Sequence, residues 1–245
     1  MSSHQMNSRE EAEPRTIDAA GVRDLDRHLI EEIGIPGIVL MEHAALGVAE
    51  VVLKLAAGHD RDRVVVLCGA GNNGGDGWAV ARLLHEDLRV LVVSTGLPRT
   101  GSDAHINAMA TRRLGIETVG VDRVETLGPE LDGAIVVDAL FGIGLDRPIE
   151  GLVANLVGMV GRSSSLVVAV DLPSGMDSST GRPLGPCIHA HVTATMVARK
   201  PGLLVPGADL LSGEVVVVDI GAPRAEVDRF TAVARSAGTG DDVLS

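Results

Sequence analysis

Apolar positions follow two different patterns along this chain. Near the N-terminus Val22, Leu25, Leu29 and Ile33 recur at spacings of 3, 4 and 4, which predicts an amphipathic helix. Asp18 stands where its cap belongs. Gly34-Ile35-Pro36-Gly37 breaks that helix, and a second one follows with Pro36 near its first turn. Ile38, Met41, Ala45, Val48, Val52 and Leu55 form its buried stripe, and Gly58 is the expected stop. Beyond residue 63 the pattern changes to short, unbroken apolar runs. Strands are predicted over 64–67, 89–93, 116–119, 134–138, 166–171, 192–197 and 215–218, and helices over 78–86, 103–114 and 152–160. Val-rich runs such as 166–171 suit strands covered on both faces. Strands alternating with helices predict an α/β fold with a mainly parallel sheet and helices on both sides. Residues 1–15 read as a disordered tail, 16–223 as one domain with two N-terminal helices, and 224–245 as a polar, partly ordered tail.

Composition narrows the possibilities. The 245 residues carry a formal net charge of −12 and only three aromatic residues, Trp78, Phe141 and Phe230. The core is therefore aliphatic. Acidity argues against a phosphate-backbone binder, and the missing rings argue against base stacking, so no nucleic-acid partner is expected. Cys68 and Cys187 form neither a ligand pair nor a disulfide framework by spacing. No apolar run reaches transmembrane length, and residues 1–14 lack a hydrophobic signal region. A cytoplasmic protein with no membrane partner is expected.

Three loops at predicted strand ends carry the chemistry, where ligands of open α/β sheets bind. The first follows Val64–Leu67 and reads Cys68-Gly69-Ala70-Gly71-Asn72-Asn73-Gly74-Gly75-Asp76-Gly77. Gly69, Gly71 and Gly74 satisfy G-x-G-x-x-G in the strand–loop–helix setting that presents backbone N–H groups to phosphate. A glycine turn tolerates Asn and Asp, but Asn72, Asn73 and Asp76 together exceed what a turn needs. The second loop runs from Asp138 through Gly142, Ile143, Gly144, Leu145, Asp146, Arg147 and Pro148, and the third from Asp171 through Ser174 to Asp177. An ordinary nicotinamide dehydrogenase would place an acid at the end of the second strand for a ribose hydroxyl. Here that strand runs into Ser94-Thr95-Gly96.

These motifs, with Met41-Glu42 after Gly34–Gly37 and with Lys200-Pro201-Gly202, resemble the NAD(P)H-hydrate epimerase family over residues 22–223. The resemblance implies a three-layer α/β/α Rossmann-like sandwich and an isomerase that interconverts the R and S forms of hydrated NADH and NADPH. It implies a separate S-specific dehydratase as functional partner, because the chain is too short to hold that domain as well. A homodimer is a further expectation. The resemblance implies substrate contacts from Asn72, Asn73, Gly74, Gly75 and Asp76, from Gly142, Ile143, Gly144, Leu145, Asp146, Arg147 and Pro148, and from Asp171. It also implies a potassium ion held by Asn73, Asp138 and Ser174, whose oxygens suit a hard cation. Epimerisation needs a carboxyl group to trade protons with a departing and returning hydroxyl. Asp171 is the first candidate and Asp76 the second. Lys200 is a third, which could instead steer phosphate.

Two positions depart from the family pattern: His43 stands where Asn is usual, and His191 where Asp is usual. If the first helix pair lines the pocket, His43 alters its polarity. A binding scaffold on the same fold is the alternative function. The set Asn73, Asp138, Asp171 and Ser174 favours the enzyme, since a scaffold has no reason to keep it.

Overall fold

The computed structural model describes residues 15–233. A short strand, β1 (Arg15–Thr16), leads into α1 (Ala19–Arg27). Asp18 caps α1 by accepting from the Gly21 N–H at 2.7 Å. The helix passes without a break into a π-helical turn, His28–Ile33, that ends on Gly34 in left-handed geometry at φ 85. There follow α2 (Gly37–His59), β2 (Arg63–Cys68), α3 (Asn72–Leu84), β3 (Arg89–Ser94), α4 (Asp103–Arg113) and β4 (Glu117–Gly120). A 3₁₀ turn, Val121–Thr126, and the short α5 (Gly128–Leu131) lead to β5 (Ile135–Ala139), α6 (Gly151–Val160), β6 (Leu166–Val170) and β7 (Val192–Met196). A 3₁₀ turn at Pro201–Leu204 and α7 (Asp209–Ser212) precede β8 (Glu214–Val218), α8 (Arg224–Phe230) and β9 (Ala232–Val233).

Seven strands form one parallel sheet in the order β4-β3-β2-β5-β6-β7-β8. Alternate side chains of β2 show the layering. Val64, Val66 and Cys68 pack with α2 and α3, whereas Val65 and Leu67 pack with Leu156, Val157 and Val160 of α6. The result is an α/β/α Rossmann-like sandwich. Chain order reverses between β2 and β5, so the connections leave these neighbours toward opposite edges and open a crevice at their carboxyl ends. Among the described residues no helix is long and apolar enough to cross a membrane.

The N-terminal arm and the C-terminal segment hold each other. β1 pairs antiparallel with β9, Arg15 is ion-paired with Asp228, and buried His28 lies between Glu32 at 2.8 Å and Glu226 at 2.7 Å. Of the expected disordered tail, residues 1–14 lie outside the described residues, as do 234–245 of the expected C-terminal tail.

At two groups of glycines the structure differs from the sequence reading. Gly58 lies inside α2, which ends at Asp60 in left-handed geometry at φ 52. The expected loop over Asn72–Gly77 is instead the start of α3. Its glycines serve close approach rather than flexibility. A Cβ on Gly77 would stand 2.5 Å from the Ala139 Cβ, whereas one on Gly58 would meet nothing within 4 Å. Gly77→Ala should therefore cost about 1–3 kcal/mol by overpacking, and Gly58→Ala should gain up to about 1 kcal/mol of helix propensity. Urea unfolding checks both; equal shifts in the two variants would contradict this assignment.

Candidate active site

Only Gly69-Ala70-Gly71 separate β2 from α3. The turn is this tight because glycines let backbone meet backbone. A Cβ on Gly69 would sit 2.0 Å from the Leu140 carbonyl oxygen, and one on Gly74 would sit 1.8 Å from that of Gly69. Gly71 caps α3 without any side-chain bond, so the first-turn N–H groups look into the crevice, where they suit an anion. Asn72 is exposed there, and Asn73 and Asp76 are half-buried.

Asp138, next to last in β5, is fully buried. Its Oδ2 accepts from the Ser174 N–H at 2.7 Å, and its Oδ1 accepts from the Ser174 hydroxyl at 2.6 Å. The same hydroxyl accepts from the Phe141 N–H at 2.9 Å, which locks the second loop to the third. Burial pushes the Asp138 carboxyl up to about 6 against these hydrogen bonds. Burial, with the Asp138 charge adding to it, pushes the half-buried Cys187 thiol up to about 12. Cys187 is thus an inert packing residue.

Asp171 follows β6 at φ 69, in the left-handed region. Its carboxylate is ion-paired with Lys200 and accepts from the Thr195 hydroxyl at 3.3 Å. Gly142 joins this group to the first loop: a Cβ there would lie 3.1 Å from Asn73 Oδ1 and 3.2 Å from Asp171 Oδ2. The structure therefore brings Asn73, Gly142 and Asp171 together, and the Phe141 bond ties Ser174 and Asp138 to the residue beside Gly142. The outer part of the second loop diverges. Asp146, Arg147 and Pro148 are exposed, and Pro148 packs on Gly185. No hydrogen bond or ion pair among the described residues ties Asp146 or Arg147 to the cluster.

One site residue escaped the sequence reading. Asp26, on α1, belongs to the same electrostatic cluster. Burial first, and then the charge of Asp171, raise its carboxyl to about 6, with Lys200 opposing. Asp76 is pushed well above the ordinary carboxylate range by burial and then by Asp171 and Asp26. The only sequence signal for Asp26 was an acid beside Leu25 on the buried stripe of α1. Lys200 also differs from expectation. At 1% exposure it is sealed inside the protein, so it cannot reach out to steer phosphate.

Neither histidine departure reaches the cluster. His43 is exposed and packs on Gly221. His191 precedes β7 at the amino ends of the strands, opposite the crevice, where its Nδ1 accepts from the Val167 N–H at 3.0 Å. Two open surface cavities lie outside the cluster. One of about 270 Å³ includes Leu53, Arg61 and Leu88. The other, of about 300 Å³, lies at the ends of β3 and β4 and includes Ser94, Arg112 and Gly120.

Comparison with known proteins gives this geometry a context. The family described as YjeF-related protein N-terminus matches residues 37–202. The NAD(P)H-hydrate epimerase of Limosilactobacillus fermentum is 38% identical over 207 residues, covering 84% of this chain and 96% of that one. The NAD(P)H-hydrate epimerase of Leuconostoc citreum is 36% identical over 219 residues, covering 89% and 95%. The bifunctional NAD(P)H-hydrate repair enzyme Nnr of Salinibacter ruber is 39% identical over 229 residues, covering 88% of this chain and 42% of that enzyme. The crystal structure of yeast ynu0 shares the fold with a TM-score of 0.74 at 21% identity, covering 94% of this chain and 98% of that one. On the family match and on these identities over more than four-fifths of its length, the chain belongs to the YjeF-related N-terminal family, together with the NAD(P)H-hydrate epimerases.

Proposed function

We propose that this chain epimerises hydrated NADH and NADPH, interconverting their R and S forms for coenzyme repair. A dehydratase specific for the S form, on a separate protein, consumes the product. The observation that carries the reading is the pairing of two carboxyl groups in opposite environments at one crevice. Asp171 is ion-paired with a buried lysine, and Asp76 is driven toward its protonated form. Two neighbouring acids in such contrast make an acid–base pair.

The substrate carries a hydroxyl on the ring carbon next to nitrogen. Asp76 donates its proton to that hydroxyl, which leaves as water while the nitrogen lone pair forms a planar cation. Water adds to the opposite face and gives its proton to the Asp171 carboxylate. In the reverse direction the two acids exchange roles, and between forward turnovers Asp171 releases its proton to solvent water while Asp76 takes one up, which restores the starting state. First-turn amides of α3 suit the phosphates of the coenzyme.

A potassium ion suits the donors of Asn73, Asp138 and Ser174. Asp138 is a fully buried carboxylate bonded to no cationic side chain among the described residues, and buried charges are normally paired or bound to metal. Asn73 Oδ1 stands beside Gly142, and an amide oxygen is the atom of that side chain that a hard cation takes. The ion would supply a fixed positive charge that balances Asp138 next to the reacting ring.

The direct test follows purified R hydrate in the presence of an S-specific dehydratase. Added wild-type protein should accelerate its consumption; no added rate would favour a non-catalytic scaffold. Asp171→Asn should lower the enzyme-dependent rate by about a hundredfold or more, and near-normal turnover would remove Asp171 from the role.

The pH dependence follows from Asp76. The acid must hold its proton, so the rate should fall as pH rises through its elevated pKa. Asp76→Asn should be slower and lose that alkaline limb, with epimer ratios read directly by chromatography. An unchanged limb would exclude Asp76 as the acid. Ligand linkage gives a test for the ion: potassium chloride should raise the melting temperature relative to choline chloride, and Asp138→Asn should abolish the difference. Equal melting in both salts would remove the ion from this site.

A further inference from the structure

Lys200 is a cation buried to 1% exposure beside the site, and its environment is unusually complete. Its ammonium has three hydrogens to donate and three acceptors to receive them. These are Asp171 Oδ1, the Thr195 hydroxyl at 3.0 Å and the Met196 carbonyl oxygen at 3.0 Å. No hydrogen is left for a ligand. The residue is therefore built to act on Asp171.

The backbone on either side is shaped to the same end. The Leu172 N–H donates to the Val170 carbonyl at 2.9 Å across Asp171, and the Ala198 N–H donates to the Met196 carbonyl at 2.7 Å across Val197. Asp171 and Val197 have φ of 69 and 68. Each is thus the central residue of a γ-turn with positive φ, a rare and strained conformation. For a β-branched residue such as Val197 it is a genuine outlier, and such strain persists only where surrounding structure over-determines it. The two turns cap adjacent strands, β6 and β7. One sets the Asp171 carboxylate, and the other turns the Met196 carbonyl to Lys200.

We propose that Lys200, with Thr195, is a positioning residue that clamps Asp171 by Oδ1 and so commits Oδ2 to the reacting centre. Lys200 and Thr195 both bond to Oδ1. Oδ2 is the atom that faces Gly142 beside Asn73. Asp26 and Asp76 are the other charged groups around this clamp. Among the described residues Lys200 is the one cation of the cluster, and it spends its charge on Asp171. The inference rests on the epimerase reading for its kinetic consequence, but the clamp itself is a structural claim.

Two measurements test it. Lys200→Met keeps the stem and removes the donors. It should lower kcat for epimerisation by about a hundredfold, the cost of misplacing a reacting group by about an ångström, with KM within about threefold. Lys200→Arg should recover part of that loss, because it keeps the charge but presents a planar fork. Wild-type kcat in Lys200→Met, or a tenfold rise in KM with kcat unchanged, would overturn the proposal; the second result would make Lys200 a substrate contact. Should Lys200→Met fail to fold, Thr195→Val carries the same test, with about a tenfold loss in kcat expected at unchanged KM. The second measurement is independent of activity. In urea unfolding, Lys200→Met/Asp171→Asn should lie at least about tenfold in unfolding constant closer to wild type than the product of the single effects. Additive effects would overturn the clamp. A wild-type protein inactive on the hydrate would sink the epimerase reading while leaving this coupling to decide the clamp.

Discussion

Backbone touching backbone is the constraint on which this structure depends. The turn after β2 and the turn after β5 press together at Gly69 and Leu140, and α3 begins directly over Gly69 at Gly74. No side chain fits between them. Main-chain atoms cannot rotate away from a clash, so each of these positions excludes a Cβ outright, in an interior already packed to crystal-like density. In return, Asn73 at the start of α3 and Gly142 beyond β5 come within reach of each other at the point where strand order reverses. The crevice of an open α/β sheet lies at that point, and here Asn73, Gly142 and Asp171 line it together.

A second layer of organisation is electrostatic. A chain with net charge −12 gathers Asp26, Asp76 and Asp171 into one cluster in which, among the described residues, Lys200 is the one cation. Three carboxylates cannot all stay ionised in a region of low dielectric. Lys200 resolves the conflict by pairing with Asp171, while Asp26 and Asp76 are pushed toward their protonated forms. The contrast between neighbours that proton transfer requires thus arises from the unequal placement of one cation. Asp138 stands apart from this group. Among the described residues it is held by Ser174 rather than by a cation.

Much of this was legible in the sequence, for definite reasons. Unbroken runs such as Val64–Leu67 and Leu166–Val170 marked buried parallel strands, because a strand covered on both faces has no polar side to show. Acids ending such runs, Asp138 and Asp171, stood out for the same reason. Glycine misled twice, because one residue type serves two purposes. It ended neither α2 at Gly58 nor the run at Gly74–Gly77, where it permits contact with Gly69, Ala104 and Ala139. The role of Lys200 depends on γ-turns at Asp171 and Val197, which follow from long-range bonds to Ala194 and Val218 and leave no local signature. Asp26 joins the cluster only through the docking of α1, which no spacing pattern encodes. The helix Arg224–Phe230 is polar on its own and is held through His28 and Phe230, whose rings lie 5.4 Å apart.

The central claim is that three strand tips form one reaction chamber. A crystal structure of the protein with hydrated coenzyme, grown with rubidium in place of potassium, tests it most directly. The account predicts the hydrated ring against Asp171 Oδ2 and Asp76, and an anomalous peak among Asn73, Asp138 and Ser174. Coenzyme bound instead in the cavity beside Arg112 at the ends of β3 and β4, with its ring away from Asp171, would contradict it.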